Sequence, residues 1–226
     1  MEIWNYAYCP FTLYYKALSM VEQNPSLETL QDIKRMMERS SRFISLSGWS
    51  GIAAGICALI GAWVAKGKID EYHSSGSGDP IRGNGVSLIN ELLFIAIAVL
   101  VAAIILAFLF TWLRTKKNRT TIWDPVAKRL MWNTLIPLAI GGICIWRVLQ
   151  IGAFTLVAPF CLVFYGLALV NGSKYTVGEV RYLGYGQIIL GLLNLWLEGY
   201  GLYFWALGFG VLHILYGTMM WWKYER

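Results

Sequence analysis

The chain has 226 residues, of which 57% are apolar, 15% aromatic and only 14% charged, with a mean hydropathy of +0.53. An average soluble domain carries about 25% charged residues, so this composition excludes an ordinary globular fold and points to lipid as the surrounding solvent. The formal net charge is +6, from 19 Lys and Arg against 13 Asp and Glu. Its bases flank apolar stretches, which favours a lipid bilayer with anionic headgroups at the cytoplasmic face, and no nucleic acid, as the partner.

Residues 1 to 23 are aromatic but carry Glu2 where a signal peptide is basic, and they lack a continuous apolar run and a small-residue cleavage site. No secretory signal is expected. Met20 precedes the first clear pattern, so one expectation is that translation starts there and residues 1 to 19 are not native; the other is a disordered segment over 1 to 23. An amphipathic cytoplasmic helix is expected over 24 to 42. Asn24 suits the cap, Pro25 the first helical position, whose N–H has no helical partner, and Glu28 the positive first turn. Leu30, Ile33, Met37, Ser40 and Ile44 recur at spacings of three and four, with charged residues on the other faces. Such a helix either binds a membrane surface or a partner, or simply extends the first span.

Six apolar stretches follow, at 43 to 65, 89 to 113, 130 to 148, 151 to 171, 181 to 199 and 201 to 222. At about 1.5 Å rise per residue, each is long enough to cross a hydrocarbon core of about 30 Å. The expected fold is all-α: an integral membrane bundle of six transmembrane helices over 43 to 222, with a tail at 223 to 226. Between the first two spans, KGKIDEYHSSGSGDPIRGNGVS reads as a flexible aqueous loop. His73 stands there near Asp70, Glu71 and Asp79, but such Gly- and Ser-rich surroundings do not organise a metal site. The four cysteines, Cys9, Cys57, Cys144 and Cys161, form no C-x-x-C pair and are read as packed thiols, with no metal or other cofactor expected.

Orientation follows from the bases. The segments on the side of the termini carry 15 Lys and Arg, and the opposite segments carry 4, Lys66, Lys68, Arg82 and Arg147. The positive-inside rule then puts both termini in the cytoplasm. Most of the 11 Trp fall toward span ends, where indole prefers the headgroup level. The sequons at Asn118 and Asn171 fall on the cytoplasmic side, where no glycan is added.

Spans three and four resemble spans five and six at a shift of 51 residues: Phe164-Tyr165-Gly166 falls on Leu215-Tyr216-Gly217, and Lys174-Tyr175 is echoed by Lys223-Tyr224. Two hairpins pointing the same way would form a parallel repeat.

Polar groups inside spans are costly without partners and are the pointers to function. Gln187, Asn194 and Glu198 share one face of span five with Gly191, and folding about Gly199 and Tyr200 brings Gln187 to the depth of His213. These four residues form the candidate intramembrane site. They serve either as a path or as interhelical glue, in which a Gln187 to His213 bond contributes about 0.6 kcal/mol. Glu91, Arg147 and Glu198 lie near the outer span ends and form a candidate ion pair across the bundle, or are solvated singly. Small residues at Ser47, Gly51, Gly55, Ala54, Ala58 and Ala62 allow close helix crossing, within the bundle or in a homo-oligomer.

No P-loop, H-E-x-x-H, G-x-S-x-G or dinucleotide fingerprint occurs, so no catalytic residue is nominated. The stretch SLETLQDIKRMMERSSRFISLSGWSGIAAGICALIGAW and the ending GLYFWALGFGVLHILYGTMMWWKYER resemble those of bacterial polytopic inner-membrane proteins with no assigned function. That resemblance implies an inner-membrane location and no site residues. The function expected is a non-enzymatic sensing, regulatory or partner-binding membrane module; the alternative is a small transporter or channel using the polar face of spans five and six.

Overall fold

The computed structural model describes residues 29, 30, 33, 48–74, 84–118 and 125–224. The chain divides into two units, Met1–Ser41 and Arg42–Arg226. In the first, Thr29, Leu30 and Ile33 are helical; segment 1 to 23 and the rest of the expected 24 to 42 helix lie outside the described residues, as do Cys9, Ser47 and Asp79.

Every regular element among the described residues is a helix. The second unit contains α1 (Gly48–Ser74), α2 (Asn84–Asn118), α3 (Pro125–Gln150), a 3-10 turn (Phe154–Leu156), α4 (Val157–Gly172) and α5 (Glu179–Trp196). A last rod joins α6 (Gly201–Trp205), a π-helical segment (Ala206–Leu212) and α7 (His213–Tyr224). Among the described residues, five stretches are long and apolar enough to cross a membrane: Gly48–Ser74, Leu88–Leu113, Pro125–Gln150, Phe154–Gly172 and Gly201–Lys223. The remaining rod, α5, has 18 residues. Glu179, Arg181, Gln187 and Asn194 leave it less apolar than the others.

Helix ends correct the expected loop. Residues 66 to 74 continue α1 instead of joining the aqueous loop. The charges of this segment support a helix, because Lys66 pairs with Asp70 at 3.6 Å and Lys68 with Glu71 at 3.2 Å, both at helical spacing. The Ser74 hydroxyl donates to the Glu71 carbonyl at 2.9 Å. At the other hairpin, α3 ends in a Schellman motif. Gly152 takes φ +77°, its N–H donates to Leu149 O at 3.2 Å, and Ala153 N–H donates to Val148 O at 3.1 Å. The turn after α5 has its positive φ at Gly199, +85°. In the 51-residue register Gly152 falls on Tyr203, so the two hairpin turns are built differently.

Pro137 lies inside α3 and has no N–H for the Asn133 carbonyl four residues earlier. In lipid that carbonyl needs another donor. Asn171 of α4 supplies it, its Nδ2 donating to Asn133 O at 2.8 Å. The side chain of the sequon asparagine thus ties α3 to α4.

Helix packing depends on small residues, since lipid tails give apolar helices no net drive to associate. A Cβ at Gly217 of α7 would sit 2.6 Å from both Gly48 O and Ile52 N of α1, and one at Gly166 of α4 would sit 2.7 Å from Gly184 O of α5. The small face of α1 is therefore used inside the bundle. Neighbours run in order: α2 packs on α1, α1 on the last rod, the last rod on α4 and α5, and α3 on α4. Helix α2 leaves Phe94, Ile97, Leu100, Ile104 and Phe108 exposed, a surface suited to lipid.

Candidate functional site

Gln187 of α5 meets the π-helical segment. Gly208 and Gly210 lie buried within Ala206–Leu212, where the wider turn takes in an extra residue. The Gly208 carbonyl faces two side-chain donors: Gln187 Nε2 at 2.8 Å and His213 Nδ1 at 3.0 Å. A carbonyl only accepts, so His213 carries its hydrogen on Nδ1. Its Nε2 is then an acceptor, and the Tyr165 hydroxyl of α4 donates to it at 2.8 Å. Phe209 stacks on the His213 ring, with centroids 5.9 Å apart and planes at 17°, and its centroid lies 5.0 Å from that of Tyr165.

The expected Gln187 to His213 contact forms the long edge of this triangle. The two nitrogens are 3.5 Å apart, and both donate to the shared carbonyl. Gln187 is wholly buried, and a Cβ at Gly208 would lie 2.6 Å from its Oε1 and 2.4 Å from Leu162 Cδ2. Only glycine leaves room for the amide there. Asn194, two turns along α5, is also buried, and its Nδ2 donates to Leu197 O at 3.3 Å, closing the end of the helix onto the following turn. Gln187 Oε1 and Asn194 Oδ1 have no hydrogen-bond donor.

Glu198 does not join this face. Helix α5 ends at Trp196, and Glu198 is exposed in the turn beyond. The proposed ion pair of Glu91, Arg147 and Glu198 is not assembled either. Glu91 pairs with Lys68 of α1 at 3.5 Å, while Arg147 donates to Gln150 of its own helix at 3.4 Å. Neighbour order is the reason: Glu91 rides on α2 beside α1, and Arg147 on α3 beside α4.

Tyr165 and the Gly208 carbonyl are the members that pattern alone missed. The available signal for Tyr165 was the Tyr-Gly pair recurring at Tyr216-Gly217. In both pairs the glycine is a point of close helix contact, and Tyr216 packs with Val177, Val180, Leu183 and Met220. Cys57, Cys144 and Cys161 are partly buried and unbonded, and no described group of His, Cys, Asp or Glu is arranged to hold a metal ion.

No family model, curated protein or solved structure matches the chain. What the arrangement can do must be judged from its chemistry. The buried polar residues among those described are Ser50, Ser173, Thr176, Gln187, Asn194 and His213, none of them carrying a fixed charge. Around Gly208 they are committed to one another, which joins α4, α5 and the last rod.

Proposed function

We propose that this protein is a non-enzymatic module of a bacterial inner membrane, with six spans and both termini cytoplasmic, that works through a protein partner at its basic cytoplasmic side. The observation that carries this reading is the closed triangle of Gln187, His213 and Gly208, completed by Tyr165. A conducting path needs polar groups that exchange partners with a solute; here each short bond ends on another part of the bundle. The basic segments at 24 to 42 and 114 to 130 are each, by sequence, a candidate contact segment. In proteoliposomes, His213→Ala and Glu198→Gln are expected to leave solute flux at the level of the unaltered protein, and photo-crosslinkers along residues 26 to 42 are expected to capture a protein partner from native membranes. Flux that disappears in folded variants refutes the module reading.

One observation favours a transporter or channel instead. Gln187 Oε1 and Asn194 Oδ1 are two donor-free oxygens on one face of α5, about 10 Å apart along the axis. If they serve a cation or solute, Gln187→Leu and Asn194→Leu abolish flux of that species in a protein that still folds.

A further inference from the structure

Two opposite charges at one end of the bundle are left unmatched inside a single copy. Among the described residues, Arg147 has one bond, from its guanidinium to Gln150 of its own helix at 3.4 Å, and exposed Glu198 has no hydrogen-bond or ion-pair partner. Glu91 of α2, by contrast, is matched by Lys68. Helix contacts fix the relative heights. Gly172 abuts Thr134 and Gly141 abuts Phe164, so α3 and α4 are antiparallel; Gly184 abuts Val170 and Gly191 abuts Pro159 O, so α4 and α5 are antiparallel as well. Helices α3 and α5 therefore run in the same direction, with α4 packed against both. That register puts Arg147 near the level of Ala158 and Asn194, one turn short of Glu198, and its bond to Gln150 aims the guanidinium toward the helix end. Each charge follows an apolar stripe. On α3, Ile136, Ile140 and Ile143 recur at spacings that lead on to Arg147, and on α5, Ile189, Leu193 and Trp196 lead on to Glu198; all six are at least half exposed.

We propose that the exposed stripes of α3 and α5 form the interface of a parallel homodimer, in which Arg147 of each copy pairs with Glu198 of the partner subunit. A two-fold axis along the membrane normal brings α3 of one copy against α5 of the other and makes the same contact twice. Charge complementarity selects a second copy as the occupant: opposite charges that do not meet within one chain become two bridges between two chains. The stripes supply the packing, since apolar helices in lipid gain only from close contact, and the bridges decide which helices face each other and at what height. Arginine suits this role. Its planar group can donate two parallel bonds to a carboxylate, whereas Gln150 takes up only one of its five N–H donors. The exposed face of α2, whose Glu91 is already paired, offers no such selection.

The test uses the purified full chain in liposomes over a range of densities, with one fluorophore per copy and the dimer fraction read by single-molecule photobleaching. A dimer is expected. Arg147→Glu or Glu198→Arg alone is expected to raise its dissociation constant on the order of tenfold, and the two together to restore it. A monomeric unaltered chain, a dimer indifferent to either reversal, or a double variant no tighter than the single ones overturns the proposal. Should reversal prevent folding, cross-linking with both charges in place decides. In a background with the four cysteines replaced by Ser, copies bearing Ile143→Cys and differently tagged copies bearing Ile189→Cys are mixed and oxidised. The register sets these two positions near one level, so a disulfide joining the two tags supports the interface; products within one tag alone, or none, refute it.

Discussion

Gln187 shows how one side chain can hold three helices in lipid. It is wholly buried on α5 and donates to the last rod at a carbonyl that also receives His213, while His213 accepts from Tyr165 on α4. Each interhelical bond is worth about 0.6 kcal/mol, up to about 1.7 kcal/mol in membranes. Tyr165→Phe removes one donor and should destabilise by about that typical value. Gln187→Leu takes a donor from the Gly208 carbonyl and puts a branched chain against Gly208, so a loss of about 1–3 kcal/mol is expected. Unfolding of the purified variants in mixed micelles should rank them in that order. Asn171 allows a cleaner check, because its amide serves a carbonyl that Pro137 leaves open. Asn171→Leu should cost about 1–2 kcal/mol in the natural chain and clearly less in a Pro137→Ala background, where an N–H returns to Asn133 O. Equal costs in the two backgrounds would show that the proline is not the reason for the bond.

Between elements, backbone contact decides. A Cβ at Gly217 meets main-chain atoms of Gly48 and Ile52, which no rotamer change can relieve, whereas one at Gly67 of α1 or Gly142 of α3 meets nothing within 4 Å. Gly217→Ala is therefore expected to destabilise by about 1–3 kcal/mol through separation of α1 from α7. Gly67→Ala and Gly142→Ala should be neutral or stabilising by up to about 1 kcal/mol, since alanine is the better helix former. Thermal scans of the three variants in one detergent test this contrast. Small-residue spacing in span one was legible in the sequence as a close-packing face, but its partner was not. Spacing states that a helix can be approached closely, and the choice of α7 requires the complementary glycines to lie at matching depth.

Across the whole molecule the last rod relates the two ends of the bundle. At its start, Tyr203 meets Lys66 of α1, with the Nζ 5.8 Å from the ring centroid; at its close, Lys223 pairs with Glu179 of α5. Residues 74 and 174 therefore belong to opposite ends. In a background with Cys9, Cys57, Cys144 and Cys161 replaced by Ser, an impermeant maleimide added to sealed right-side-out vesicles should label Ser74→Cys at once and Lys174→Cys only after permeabilisation. Labelling of Lys174→Cys in sealed vesicles would reverse the proposed orientation.

The membrane character of this chain was readable residue by residue, because length and apolarity act locally: a stretch either has or lacks the turns to cross a hydrocarbon core. The shared face of Gln187 and Asn194 was likewise readable, since helical periodicity places residues seven apart together. Partners across helices were not. Glu91 found Lys68 rather than Arg147, and His213 found a backbone carbonyl and Tyr165, because those pairings depend on which helices are neighbours and on the π-helical turn at Ala206–Leu212. Neighbour order arises from many small steric fits summed over whole helices, and a carbonyl turned toward a side chain is a product of tertiary packing that no residue letter records.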